Sequence, residues 1–287
     1  MKPFLSIEDQ VQRLRDNGLA LTATESAEAV RFLKDHNYYR LSGYFRYFQV
    51  NPPTGQNQFT AGATFQKIQA AYSFDRRLTE RLQSGLADFE IVFRSQLAYL
   101  IAQSTGPDSY LDDDIYEDRN GARDKLLQSI DSELKRSTER FVQHHRARGE
   151  AIPVWAAVEA LSLGTSSKMY GLIKDADGVF KPLATRFGIS HKIARKTFRA
   201  MSVLRNVCAH HGRIWNRSHG IEVEAPRVVW TENDRTLYKD TPWAWAVTLG
   251  HLVDNARGDD CYSQTFWDFI EGEPAWLCQG LTHPSQM

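Results

Sequence analysis

Between Phe65 and Leu100 the apolar residues Phe65, Ile68, Tyr72, Leu78, Leu82, Leu86, Phe89, Phe93, Leu97 and Leu100 recur mostly three or four positions apart. That spacing predicts one long amphipathic helix with a single buried stripe. A polar set that includes Asp75, Arg76, Arg81, Asp88, Glu90 and Arg94 is interleaved with it. A chain organised around such a helix needs other helices to cover the stripe, and the flanking segments supply them. Residues 1–50 read as helix, turn, helix: Ser6 with Asp9 and Thr22 with Glu25 have capping-box spacing, and "DNG" at 16–18 is the turn. The stretch 51–63, "NPPTGQNQFTAGA", has the composition of a loop and marks a boundary between a small helical N-terminal region (1–60) and a helical domain (61–287). Further on, a charged helix is expected at about 121–147. A helix opening at Pro153 is expected to run to 173, with a break or a close helix contact at Gly164. Another is capped by Ser190 and stopped by Gly212. Residues 221–230 suggest a short strand or an extended arm, and 241–257 and 262–272 suggest closing helices. The expected class is mostly α, with a helical bundle as its core.

Of 287 residues, 42% are hydrophobic, enough for a real core, and no run approaches the ~18–20 apolar residues of a membrane span. Acids and arginines interrupt any apolar run in "MKPFLSIEDQVQRLRDNG", so the start does not read as a signal peptide. The three cysteines, Cys208, Cys261 and Cys278, form no CxxC pair, which suits reduced thiols in a cytoplasm. No membrane association is expected.

Net charge is zero, yet its distribution is uneven. From Gly178 to Ile221 there is no Asp or Glu, while Lys181, Arg186, Lys192, Arg195, Lys196, Arg199, Arg205, Arg213 and Arg217 all fall there. Such a concentration suits a phosphate backbone. The plainer alternative is a basic helix facing an acidic neighbour such as "DDDIYED" at 112–118.

Inside that window lies "LRNVCAHHGRIWNR" (204–217). On a helix Asn206 and His210 share a face, and the long side chain of Arg205 can bend toward a phosphate near His210. His211 and Arg213 stand at the frayed end. A histidine that moves protons near neutral pH beside a bidentate guanidinium is the equipment for cutting RNA. A base takes the 2′-hydroxyl proton, an acid protonates the leaving 5′-oxygen, and a cation stabilises the crowded phosphorus. Such chemistry needs no metal or cofactor and leaves 2′,3′-cyclic phosphate ends. The bare pattern Arg-x4-His is common here, occurring at Arg31–His36, Arg140–His145, Arg186–His191 and Arg205–His210; the fourth alone adds the Asn, the second His and the basic window. Cys208, His210, His211 and His219 match no common zinc spacing, and Cys208 reads as a small buried residue. "RFVQHHRAR" at 140–148 reads as a solvated face. In "NYYRLSGYFRYF" (37–48) tyrosines alternate with arginines, either to pack against a neighbour or to hold RNA through Tyr39, Arg40, Tyr44 and Arg46.

The Arg-Asn-x-x-x-His of Arg205 to His210 resembles the motif of the HEPN superfamily of helical ribonucleases, and "RNVCAHHGRIWN" resembles its version in bacterial abortive-infection proteins of the AbiD/AbiF type. "NYYRLSGYFRYF", the long-helix segment "TFQKIQAAYSFDRRLTERLQSGLADFEIVFRSQLA" and "PVWAAVEALSLGTSSKMYGLI" are similar to that family too, in the same order. The resemblance implies a HEPN-like helical bundle and an anti-phage endoribonuclease. Arg205 would hold the scissile phosphate, His210 would act as acid or base with His211 as its rival, and Asn206 would fix the geometry. It implies a C2 homodimer with a composite site, restrained by an inhibitory partner, a structured non-coding RNA or an inactive conformation. Arg195, Lys196, Arg199, Arg213 and Arg217 are the expected RNA contacts around the motif. Glu90 and Arg94 are either supporting partners or an exposed ion pair of little energetic worth. The rival reading is a non-catalytic RNA-binding or protein-binding module on the same scaffold.

Overall fold

Both N-terminal capping boxes close as the spacing predicts. Ser6 and Thr22 accept from the backbone three residues on, and Asp9 and Glu25 return the contact, starting α1 (Ile7–Asp16) and α2 (Ala23–His36). These belong to a computed structural model that describes residues 4–218, 220–223, 226 and 237–285. Asn37, at φ 56°, ends α2 and caps α3 (Tyr38–Phe45) by accepting from Tyr39 N at 2.8 Å. The segment read as a loop instead pairs β1 (Gln49–Asn51) with β2 (Gln56–Phe59) in a small antiparallel hairpin. Pro52, Pro53 and Gly55, the residues that suggested a loop, make its turn.

The long helix is unbroken. α4 (Phe65–Thr105) spans 41 residues, about 60 Å at ~1.5 Å per residue. Its predicted stripe is buried, with Tyr72 and Leu100 half-buried at its margins. The charged segment forms two helices, α5 (Ala122–Arg136) and α6 (Arg140–Ala147). The helix expected from Pro153 is also two: α7 (Val154–Ala160) and α8 (Leu163–Leu172). The break falls at Leu161–Ser162 rather than at Gly164. There Glu133 of α5 accepts from Ser162 N at 2.7 Å and Thr165 Oγ1 at 2.7 Å, placing a carboxylate on the N-terminus of α8. α9 (Lys181–Arg186) leads to α10 (His191–Ala209), which is capped by Ser190. α11 (Pro242–Arg257), α12 (Cys261–Glu271) and α13 (Ala275–Thr282) close the chain. Most of the segment read as a strand or arm, 221–230, lies outside the described residues.

The protein is therefore a mostly α helical bundle, with α3, α7, α8, α10 and α11 packed around α4. An aromatic cluster locks the motif helix to this spine: Phe198 of α10 lies 5.0 Å from Phe93 and 5.8 Å from Phe89, ring centre to ring centre. A second cluster forms where the chain leaves α10. Trp215 is fully buried, packs beside Tyr44, Tyr47 and Trp276, and donates from Nε1 to Leu277 O at 2.8 Å. Its indole passes 2.3 Å from where a Cβ on Gly280 would stand, an approach that only glycine permits. Among the described residues no helix is long and apolar enough to cross a membrane.

Candidate active site

α10 stops one residue earlier than Gly212 suggested. His211 takes the left-handed conformation at φ 55°, its N–H donating to Cys208 O at 3.0 Å, and the Gly212 N–H donates to Val207 O at 2.7 Å. This paired closure usually has glycine at the left-handed position. A histidine there costs roughly 1 kcal/mol. His211→Gly is therefore expected to raise stability by up to about 1 kcal/mol, read as a higher Tm in thermal unfolding.

Past this turn the chain is held from below by one carboxylate. Asp75 of α4 is buried and accepts from Tyr44 Oη at 2.6 Å, Trp215 N at 2.8 Å and Ile214 N at 3.2 Å. Burial pushes its carboxyl above the ordinary carboxylate range, while the Tyr44 hydroxyl, the two amides and Arg213 pull the other way. Burial first, and then the Asp75 charge, raise the Tyr44 phenol well above its ordinary value. Arg213 lies over the Tyr44 ring and donates to the carbonyls of Trp215 (2.8 Å) and Asn216. Sequence reasoning placed Asp75 only in a polar set and gave it no role. The apolar spacing carries no signal for it, because the buried Phe74 and Leu78 continue the stripe on either side.

Glu90 and Arg94 are not an exposed pair. Their side chains are 12% and 15% exposed and meet at 2.5 Å; Arg94 also donates to Leu161 O at 2.8 Å. The other oxygen of Glu90 takes Arg205 Nε at 3.2 Å. Among the described residues this is the only polar partner of the Arg205 side chain, so both terminal nitrogens are left for a ligand. Arg205 is 42% exposed and lines a polar cleft of about 570 Å³ with Arg94, Arg136, Glu159 and Ser162.

Asn206 and His210 share an exposed face, as their spacing predicts. Lys192, Lys196 and Arg199 continue it, since Lys192 and His210 are 18 residues, or about five turns, apart. Arg205 and His210 do not converge within one chain. Five positions on a helix place them roughly 140° apart around its axis. Arg205 turns toward α4, while His210 stands exposed at the helix end and does not line the Arg205 cleft.

The other expected contacts divide. Arg195 stacks on Phe180 at 4.6 Å and lies 3.7 Å from Glu117 of the acidic run, so at this position the basic helix does face its acidic neighbour. Lys196 is exposed and feels the charge of Glu222; Arg199 is exposed; Arg217 is half-buried against Arg213 O. Tyr44 belongs to the core and cannot stack a base, and Arg213 braces the turn. Tyr39, 85% exposed, faces solvent with Arg40 and Arg46 half-buried beside it. Two of the other Arg-x4-His matches have structural uses. His36 stacks on Phe32, and Arg186 donates to Asn255 O and Ala256 O at the end of α11. In the third, His145 lies 3.6 Å from Glu150. Cys208 is buried, and burial pushes its thiol up to about 12. Among the described residues no group of His, Cys, Asp and Glu is arranged to hold a metal ion; His219 lies outside them.

No curated protein and no solved structure matches this chain. The family model for Abi-like proteins matches residues 31–216, more than half of the chain, from the end of α2 through the long helix to the turn beyond α10. It thus takes in Asp75, Glu90, Arg205 and His210 together, and the chain belongs to the Abi-like protein family.

Proposed function

We propose that this protein is a metal-independent endoribonuclease of the HEPN type, acting in the cytoplasm in abortive infection. Membership of the Abi-like family supports the abortive-infection role. The observation that carries the catalytic reading is Arg205. Among the described residues its guanidinium is oriented by Glu90 through Nε alone, at the rim of an open polar cleft, with its phosphate-binding edge unclaimed. His210 stands exposed on the same helix as the proton-transfer group.

In this reading a base removes the 2′-hydroxyl proton and the 2′-oxygen attacks phosphorus. The bond to the 5′-oxygen breaks, and an acid returns a proton to that oxygen. The products are a 2′,3′-cyclic phosphate and a 5′-hydroxyl, with no external water or metal required. Arg205 stabilises the charge that builds on the phosphoryl oxygens. Because Arg205 and His210 diverge, a second copy of the chain completes the site, facing the first across a two-fold axis. His210 of one chain then faces Arg205 of the other, taking the proton from the 2′-oxygen and returning it to the leaving 5′-oxygen. Restraint in resting cells falls to an inhibitory protein, a structured RNA or an inactive conformation.

The direct test incubates purified protein with mixed RNA in excess EDTA and examines the product ends. Cleavage with cyclic phosphate ends is expected. Tight RNA binding without any cleavage would favour the non-catalytic binding module, the reading that the divergence of Arg205 and His210 in a single chain favours.

A further inference from the structure

A larger opening lies on the N-terminal side of the molecule. It is a groove of about 910 Å³ between α1, α3, the hairpin and the turn beyond α10. Four arginines line it: Arg13 of α1, Arg40 of α3, Arg46 just after α3, and Arg213. No carboxylate among the described residues does. Among the described residues Arg13, Arg40 and Arg46 have no ion-pair partner. In a chain with 35 basic and 35 acidic residues, this is a local choice and not a consequence of composition. Arg213 has the buried Asp75 as a counter-charge, but Arg13, Arg40 and Arg46 are gathered without one. Such guanidiniums repel one another and hold counterions, an arrangement that binding a polyanion relieves.

The rest of the lining suits nucleotides better than simple anions. Tyr39 offers an exposed ring for stacking, and Asn17, Asn37 and Asn57 offer both donors and acceptors for base edges. The volume is at the upper end of single-ligand pockets, roughly 300–1,000 Å³, room for a few unpaired nucleotides rather than a duplex. The floor is tied to the motif helix. Arg213, three residues beyond His210, reaches over α3 with its Nε 2.7 Å from where a Cβ on Gly43 would stand. A side chain at 43 would push the Arg213 guanidinium aside, so this glycine lets Arg213 lie against α3 in the groove wall.

We propose that this acid-free groove binds single-stranded RNA, with Arg13, Arg40 and Arg46 on its phosphates and Tyr39 stacked on a base. The groove holds the strand flanking the cut and leads it to the end of α10; that last step rests on the ribonuclease reading, whereas the binding does not.

The test measures fluorescence anisotropy with a labelled 12-nucleotide single-stranded RNA, the same sequence as a duplex, and a polyglutamate peptide. It uses full-length protein carrying His210→Ala, so that nothing is cut. The double variant Arg40→Ala/Arg46→Ala is expected to weaken single-strand binding at least 10-fold at low salt. Its plot of log affinity against log salt should flatten by about 0.7 for each phosphate that the variant no longer neutralises. Tyr39→Ala, at an exposed position, is expected to cost about 5-fold or more. Lys135→Ala on α5 serves as the control, and circular dichroism verifies that each variant is folded. Unchanged binding in the folded groove variants overturns the proposal, as does equal preference for duplex or tighter, groove-dependent binding of polyglutamate. Cleavage by the same groove variants with His210 restored separates the two readings. Groove-dependent binding without any cleavage retains the groove and removes the ribonuclease. Cleavage indifferent to the groove does the reverse.

Discussion

Alanine at His210 is expected to lower RNA cleavage by about 10²–10⁴-fold, the usual worth of a general acid or base. Alanine at Arg205 is expected to lower it by about 10²–10³-fold, the usual worth of one donor to a developing oxyanion. Neither change should move Tm much, because His210 is exposed and Glu90 is the one polar partner of the Arg205 side chain among the described residues. The informative result comes from mixing the two dead proteins. Residues five apart on one helix point roughly 140° away from each other, so a single chain does not aim both at one phosphate. If two copies share a site, a mixed dimer pairs the intact Arg205 of one chain with the intact His210 of the other. An equal mixture, unfolded and refolded together to exchange chains, should then regain cleavage that neither parent has. A mixture as inactive as its parents would place the whole site in one chain and require α10 to rearrange when RNA binds.

What the sequence makes legible here is what depends on neighbours along the chain. The burial of α4 is written in a repeat of three and four, and the two capping boxes are closed by residues three apart. Asn206 and His210 share a face for the same local reason. The features that were not legible are set by partners far away in sequence. Glu133 caps α8 from 29 residues upstream and moves a break that Gly164 seemed to mark. Glu90 meets Arg205 across 115 residues, turning a side-chain pair that looked exposed into the support of the candidate catalytic arginine. Tyr39 and Tyr44 lie in one aromatic-rich segment with the same apparent chemistry. The packing of α3 against α4 buries Tyr44 on Asp75 and leaves Tyr39 in solvent. Periodicity alone does not say which face of so short a helix meets the spine. The basic window divides for a related reason: its charge count is right, yet Arg186, Arg195 and Arg213 are used by the fold, through helix-end carbonyls, an aromatic face and turn carbonyls.

Removal of the Asp75 carboxylate is expected to have the largest effect on stability of any single polar substitution near the site. Asp75→Ala leaves the Tyr44 hydroxyl and the amides of Ile214 and Trp215 buried without their acceptor, and takes a counter-charge from Arg213. Breaking a buried charged network of this kind costs about 3–5 kcal/mol, and should lower Tm by roughly 5–15 °C. Asp75→Asn keeps one acceptor oxygen but sets an NH₂ group among donors, so a smaller loss is expected. The two variants also report on proton binding. Burial raises the folded-state pKa of Asp75 above its ordinary 3.8, so the folded protein holds that proton more tightly than the unfolded chain. The stability this contributes is fully present below about 3.8 and is lost as pH rises through the raised value. Asp75→Asn does not titrate, so the advantage of the wild type over it should be greatest in acid and shrink across that window. Amide hydrogen exchange gives the site-specific readout: protection at Ile214 and Trp215 should fall in both variants while the α4 core amides of Asp75→Asn keep theirs. Asp75 touches no substrate in this arrangement. Any fall in cleavage by the folded Asp75→Asn protein therefore measures how far the position of His210 depends on the turn that Asp75 holds. Protection at Ile214 and Trp215 that survives both substitutions would mean the turn is held by Trp215 and its aromatic neighbours instead.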